Sequence, residues 1–293
     1  MSLVEIQNVT KDYGAERGNF DVSLSIEKGE VFGFVGTNGA GKTTLIRQMM
    51  GFINSDRGNI RINGLDAWTD SAEIKKLVGY VPAEIAFPDA PTGTEFLRRQ
   101  AELLGVRDMS YAQAITEKLQ LDPSANLKRM SKGMKQKTAI VAAFMADSEI
   151  LVMDEPTTGL DPLMRAEFVD ILNDEKKKGK TMFMSSHMFA EVEDTCDKVA
   201  LIKDGRIIAV KSTLEIKHNQ NKVYKVEFSS AADYGRFLSE SFVYSEQRPL
   251  QNQLLVNVHD KEINRFFSVL KGYRVRFITE IKYSLEKYFK SLY

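Results

Sequence analysis

Nine consecutive residues, Gly36-Thr37-Asn38-Gly39-Ala40-Gly41-Lys42-Thr43-Thr44, fit the spacing G-x-x-x-x-G-K-[ST]. Residues of these types in this order suit phosphate binding. The glycines let backbone N–H groups converge on phosphate oxygens without Cβ clashes. Lys42 supplies a point charge to the β- and γ-phosphates, and the Thr43 hydroxyl is placed to ligate Mg²⁺. A glycine-rich turn that binds nothing would share these letters. Here, however, an apolar strand (residues 30–35) enters the motif and a segment of helical spacing (43–52) leaves it. Further along, Ile150-Leu151-Val152-Met153-Asp154-Glu155 is an apolar strand ending on two carboxylates. Such charges are costly at a buried strand end unless they meet a cation or take part in proton transfer. Asp154 suits the Mg²⁺ shell, and Glu155 can polarise an attacking water. Alone, the pair reads equally well as a strand end reaching solvent.

The elements that must hold these residues alternate. Residues 3–9 and 22–26 read as strands, and 150–153 and 181–184 as further buried ones. Buried strands alternating with helices predict an α/β fold with a parallel sheet covered on both faces. Residues 92–105, 110–121 and 131–146 read as helices with no strand among them, a helical insertion over about 84–146. The polar stretch 212–223 reads as a linker. Beyond it, 224–228, 254–258 and 274–278 alternate as strands, with helices at 231–241, 261–270 and 280–292. That predicts a small α+β unit with helices on one face of its sheet.

Composition narrows the function classes. The chain has 293 residues with 40 Lys+Arg and 40 Asp+Glu, which argues against a basic nucleic-acid wrapper and an acidic disordered chain. The neutral total hides an asymmetry: residues 217–293 carry 13 Lys/Arg against 8 Asp/Glu and half of the aromatics. The single cysteine, Cys196, rules out an intrachain disulfide. The longest apolar run, 139–146, is far too short for a membrane span, and the first residues lack the apolar core of a signal peptide. A soluble, cytosolic protein is expected.

Further motifs extend the phosphate site. Met130-Ser131-Lys132-Gly133-Met134 begins an apolar-periodic helix, and Ser131 is a good N-cap for it. Ser131 lies 23 residues before Asp154; Thr158-Gly159-Leu160-Asp161 follows the carboxylates, and His187 ends the next strand in Met184-Ser185-Ser186-His187. With these motifs in this order, residues 2–215 resemble the nucleotide-binding subunit of an ABC transporter. The resemblance implies a P-loop ABC ATPase core at 1–215 with an N-terminal antiparallel β subdomain, and a small accessory domain at 216–293. It makes 130–134 the signature, Asp161 part of the D-loop, His187 the switch histidine, and Tyr13 the aromatic that stacks on adenine. Catalysis is then expected from Glu155, His187 and Lys42. ATP would bind at Tyr13, Gly36, Asn38, Gly39, Ala40, Gly41, Lys42, Thr43 and Thr44, and at Ser131, Gly133 and Asp161, with Mg²⁺ at Thr43 and Asp154. Taken singly, Ser131 reads as a plain helix cap, His187 as a surface group, and Tyr13 as a half-buried core residue.

The resemblance also implies partners: a separate transmembrane permease, and a second copy or paralogue in a head-to-tail dimer, peripheral on the inner face of the cell membrane. No nucleic-acid partner is expected. The signature and the extension resemble the ABC-2-type exporter ATPases, and the run 80–89 is similar to the branch exporting amphipathic peptides such as phenol-soluble modulins. A soluble or regulatory ABC-type ATPase is the alternative. Two departures bear on this. Ala83 and then Glu84 follow Tyr80-Val81-Pro82 where the family has glutamine, and Lys132 and Met134 replace a glycine and a glutamine of the signature. A GTPase would need N-K-x-D, but Asn221-Lys222-Val223-Tyr224 lacks the aspartate.

Overall fold

The computed structural model describes residues 2–217 and 220–292. It divides into two compact units, the first ending at Thr213 and the second beginning at Leu214. In chain order the first unit holds β1 (Ser2–Asp12), β2 (Gly18–Glu27), β3 (Val31–Val35), α1 (Lys42–Met49), β4 (Arg57–Ile62), β5 (Leu65–Asp66), α2 (Ser71–Leu77) and β6 (Val78–Val81). There follow α3 (Gly93–Leu104), α4 (Ser110–Lys118), α5 (Lys132–Phe144), β7 (Ile150–Asp154), α6 (Pro162–Lys177), β8 (Thr181–Ser186), α7 (Phe189–Thr195), β9 (Lys198–Lys203) and β10 (Arg206–Ser212).

Two sheets result. An antiparallel one has the order β2-β1-β4-β5, and a six-stranded one runs β10-β9-β3-β8-β7-β6. In the larger sheet β9, β3, β8, β7 and β6 are mutually parallel and β10 is an antiparallel edge. Every residue of β3, β7 and β8 is buried, as strands covered on both faces must be. β2 instead alternates buried and exposed along Val22, Leu24 and Ile26, with one face in the core shared by the two sheets. The regular elements of the insertion are helices, joined by loops and one isolated bridge between Thr92 and Asn126. Its α3 starts at a Thr92 cap that accepts from the Glu95 N–H and stops at Gly105 with φ 70°.

α8 (Thr213–Lys217) occupies the junction, where the sequence suggested a linker over 212–223. Asn221 already pairs in a strand, and His218 and Asn219 lie outside the described residues. The second unit holds β11 (Asn221–Phe228), α9 (Ala231–Phe237), β12 (Val243–Arg248), β13 (Gln253–His259), α10 (Ile263–Leu270), β14 (Val275–Ile281) and α11 (Leu285–Ser291). Its antiparallel sheet has the order β12-β13-β11-β14, the split β-α-β arrangement. Tyr224, Val226, Phe228, Leu254, Val256 and Val258 form its core with Phe237 of α9 and Phe266 and Leu270 of α10. Both helices therefore cover one face. The helix expected at 280–292 starts later, because residues up to Ile281 pair with β11. β12 escapes a pattern search because Glu246, Gln247 and Arg248 make it polar, as suits an edge strand. Around the last helix, Leu285 and Phe289 are buried and Leu292 is exposed.

One close approach seats the insertion on the large sheet. A Cβ added to Gly79 in β6 would lie 2.2 Å from the Ala143 carbonyl oxygen of α5 and 2.7 Å from Leu151 Cδ2. Gly79→Ala should therefore cost about 3 kcal/mol, the upper range for overpacking, and lower Tm by several degrees in a thermal melt.

Candidate nucleotide site

The site lies at the carboxyl ends of the parallel strands, where open α/β sheets place ligands. β3 runs into the glycine-rich turn, and α1 begins after Gly41. Gly41 has φ 103°, and its missing Cβ would stand 2.5 Å from Asn19 Nδ2 and 2.7 Å from the Gly18 carbonyl. Only glycine serves there. No side chain caps the first turn of α1, so its leading N–H groups and positive dipole end are left for an anion. The turn is also held from outside: buried Asn19 donates to the Gly41 carbonyl at 3.1 Å, and Gly205 N–H donates to the Ala40 carbonyl at 3.0 Å. Asn19 was not legible as a site residue, since nothing in its neighbourhood marks it.

Lys42 is almost fully buried; it donates to Gly36 O at 2.7 Å and Thr37 O at 3.2 Å and forms an ion pair with Glu155 Oε1 at 3.1 Å. The other Glu155 oxygen lies 2.5 Å from His187 Nδ1. The three residues predicted to be catalytic thus form one chain of contacts. Glu155 follows β7 in the left-handed region, with φ 50°, and its N–H is within reach of both the carbonyl (3.2 Å) and the hydroxyl (3.0 Å) of Ser185. The same Ser185 hydroxyl donates to Asp154 Oδ1 at 2.6 Å. Ser185 therefore holds the Asp154 carboxylate and the Glu155 backbone, because the parallel register of β7 and β8 sets it opposite Asp154.

Asp154 is wholly buried, and its Oδ2 has no hydrogen-bond partner. Burial pushes its carboxyl above the usual range; the Ser185 and Thr43 hydroxyls and Lys42 pull it down, and Glu155 pushes it up. An orphaned carboxylate oxygen beside a threonine hydroxyl is an oxygen-donor set that suits a hard dication.

An open cleft of about 750 Å³ fronts this set. Of the predicted residues, Tyr13, Asn38, Gly39, Gly41, Lys42, Thr43, Thr44, Glu155 and His187 line it, joined by Arg17, Thr158, Ala83 and Glu84. Tyr13 is 56% exposed on the turn between β1 and β2. This replaces the half-buried core reading with a ring open to a stacking partner. Ser131, Gly133 and Asp161 do not line the cleft. Ser131 caps α5 by accepting from the Met134 N–H at 3.2 Å, and Asp161 caps α6 by accepting from the Met164 N–H at 3.0 Å. These two caps are neighbours, since a Cβ on Gly133 would be 2.8 Å from the Gly159 carbonyl. A larger groove of about 1260 Å³ opens at the amino end of β7, beside Lys28, Asp147 and Ile150; it gathers no comparable set of groups.

A strand, a phosphate-binding turn and a helix, followed by a paired-carboxylate strand end and a histidine in contact with it, define a P-loop α/β nucleotide-hydrolysing domain. Comparison with known proteins narrows the class. Residues 20–158 match the family model described as ABC transporter. The chain is 33% identical over 219 residues to the linearmycin resistance ATP-binding protein LnrL of Bacillus subtilis, covering 73% of this chain and 70% of that one. It is 28% identical over 298 residues to the bacitracin transport ATP-binding protein BcrA of Bacillus licheniformis, covering 99% and 97%. A solved ATP-binding subunit of an ABC transporter superposes with TM-score 0.67 at 30% identity, covering 74% of this chain and 92% of that one. The chain belongs to the ABC transporter ATP-binding family. It is an ATP hydrolase with a transport role, and among its described residues no helix is long and apolar enough to cross a membrane.

Asp154→Asn separates folding from function. A carboxyl raised by burial weakens the folded state as pH climbs through its titration, and below that range the protonated acid resembles the amide. Nucleotide-free Asp154→Asn should therefore melt higher than wild type at pH 8, converge with it towards pH 4, and lose Mg²⁺-dependent ATP hydrolysis.

Proposed function

We propose that this chain is the motor subunit of a membrane exporter. Two copies, or this chain and a paralogue, close head to tail on ATP and drive a separate permease. The observation that carries the reading is the split of the predicted ATP contacts: Lys42, Thr43, Glu155 and His187 share a cleft, while Ser131, Gly133 and Asp161 sit together outside it. A second chain presenting its exposed Ser131 and Asp161 side would complete each cleft. The free N–H groups of α5 would then face the terminal phosphate.

In that dimer Tyr13 stacks on adenine, and residues 36–44 cradle the phosphates. Lys42 exchanges Glu155 for phosphate oxygens. Glu155, freed from Lys42 but still against His187, accepts a proton from the attacking water, and His187 orients the pair. When bound, Mg²⁺ held by Thr43 and Asp154 would neutralise charge on the phosphates. Residues 1–215 form the motor domain and 216–293 an accessory domain. The helical insertion, about 84–146, meets the permease, which places the chain on the inner face of the membrane. Ala83 has no side-chain amide, so Glu84, which lines the same cleft, is the polar group at that loop. The names of LnrL and BcrA, concerned with linearmycin resistance and bacitracin transport, support export of amphipathic peptides or similar hydrophobic compounds.

An affinity capture of Glu155→Gln plus ATP from detergent-solubilised native membranes tests this. Mass spectrometry should find a stoichiometric polytopic membrane protein. Ribosomal or nucleic-acid proteins without a membrane partner would make the exporter reading wrong.

A further inference from the structure

We propose that Glu191 is a positioning residue for ATP hydrolysis, with one carboxylate oxygen fixing both the turn that carries Glu155 and the turn that carries His187. The inference rests on the assignment of those two residues to the reaction. Glu191 sits in α7, outside the cleft, and is 7% exposed. Its Oε2 accepts from the Thr157 hydroxyl at 2.8 Å and from the Ser186 hydroxyl at 3.3 Å. Thr157 is two residues beyond Glu155, and Ser186 immediately precedes His187. All three side chains are buried, so water does not replace these bonds.

Both turns need an external hold. Glu155 occupies left-handed backbone, which a non-glycine residue keeps only when its surroundings enforce it. On the far side of that residue, Thr158 N–H closes on the Glu155 carbonyl at 3.1 Å, and Leu160 N–H closes on the Thr157 carbonyl at 3.0 Å. Thr157 is thus the side-chain anchor of the turn. On the histidine side, Met188 N–H donates to the Ser186 hydroxyl oxygen at 2.9 Å, and that hydroxyl's own proton reaches Glu191 Oε2 at 3.3 Å and the Met188 carbonyl at 3.4 Å. Arg165 is held nearby, donating to the Leu160 carbonyl at 2.9 Å.

Stability alone does not call for a carboxylate here. Glu191 Oε1 is buried without a hydrogen-bond partner, and burial pushes the carboxyl up, with Thr157 and Arg165 pulling it back. An apolar side chain of similar size would avoid that cost. What the carboxylate does, and leucine cannot, is accept from two hydroxyls on two different turns. A shift of about 1 Å in either turn is enough to cost about 10²-fold in rate.

The test uses the full-length chain with Glu191→Ala, Glu191→Gln, Thr157→Val and the Glu191→Ala/Thr157→Val double variant, beside wild type and Glu155→Gln. Steady-state ATP hydrolysis gives kcat and KM, and titration with a fluorescent ADP analogue gives Kd. Glu191→Ala should lose at least tenfold in kcat, with KM and Kd within twofold of wild type. Glu191→Gln, which keeps an acceptor oxygen, should recover at least a third of wild-type kcat. Thr157→Val should fall like Glu191→Ala, and the double variant should be no worse than Glu191→Ala alone. Thr157→Val also reads the same bond if Glu191→Ala fails to fold. Wild-type kcat in Glu191→Ala or Thr157→Val overturns the proposal, as do equal losses in Glu191→Ala and Glu191→Gln, or a KM that rises in step with lost kcat. A Glu155→Gln that still turns over ATP would instead overturn the site assignment beneath it.

Discussion

The site depends on how the charge gathered at the ends of β7 and β8 is balanced. Asp154 and Glu155 are adjacent carboxylates leaving a buried strand, and Lys42 is a buried ammonium beside them. Each would be costly alone. Together, Lys42 donates to Gly36 and Thr37 and pairs with Glu155, and Ser185 binds the Asp154 carboxylate and the Glu155 backbone N–H. Only Asp154 Oδ2 is left over at this strand end. In the proposed reaction, phosphate would compete with Glu155 for Lys42, and the unpartnered oxygen of Asp154 is what a dication would meet.

The scaffold exists to bring those groups together from distant parts of the chain. β3 is clamped between β8 and β9, so the turn after it is fixed against the His187 loop on one side. β7 lies on the other flank of β8, which sets Asp154 level with Ser185. The second unit repeats none of this. Its split β-α-β sheet closes its own core around Phe237 and Phe266.

What could be read from the sequence followed burial and spacing. The phosphate turn was legible because its glycine, lysine and threonine positions leave few alternatives, and β3, β7 and β8 because strands buried on both faces become unbroken apolar runs. β6 is four residues long with a glycine inside, and β12 is a polar edge strand, so neither carries that signal. The boundary between the units falls inside 212–223, but that stretch is not a plain linker, because α8 begins at Thr213 and polar residues 221 and 222 pair in β11. Asn19, Ser185 and Glu191 were silent for another reason. Their roles come from partners 22, 31 and 34 residues away, brought close only by sheet register and helix packing. Ser131 was legible as a helix cap, whereas the capping role of Asp161 emerges only in the structure; the place of both outside the cleft is what supports the proposed second chain.

The proposed completion of the cleft by a second chain is the central claim, and sedimentation velocity of Glu155→Gln with ATP·Mg²⁺ or with ADP tests it most directly. The account predicts a dimer with ATP·Mg²⁺ that reverts to monomer with ADP, and loss of the ATP-bound dimer when Ser131→Arg is added. A monomer under both nucleotides, or a dimer indifferent to Ser131→Arg, would contradict it.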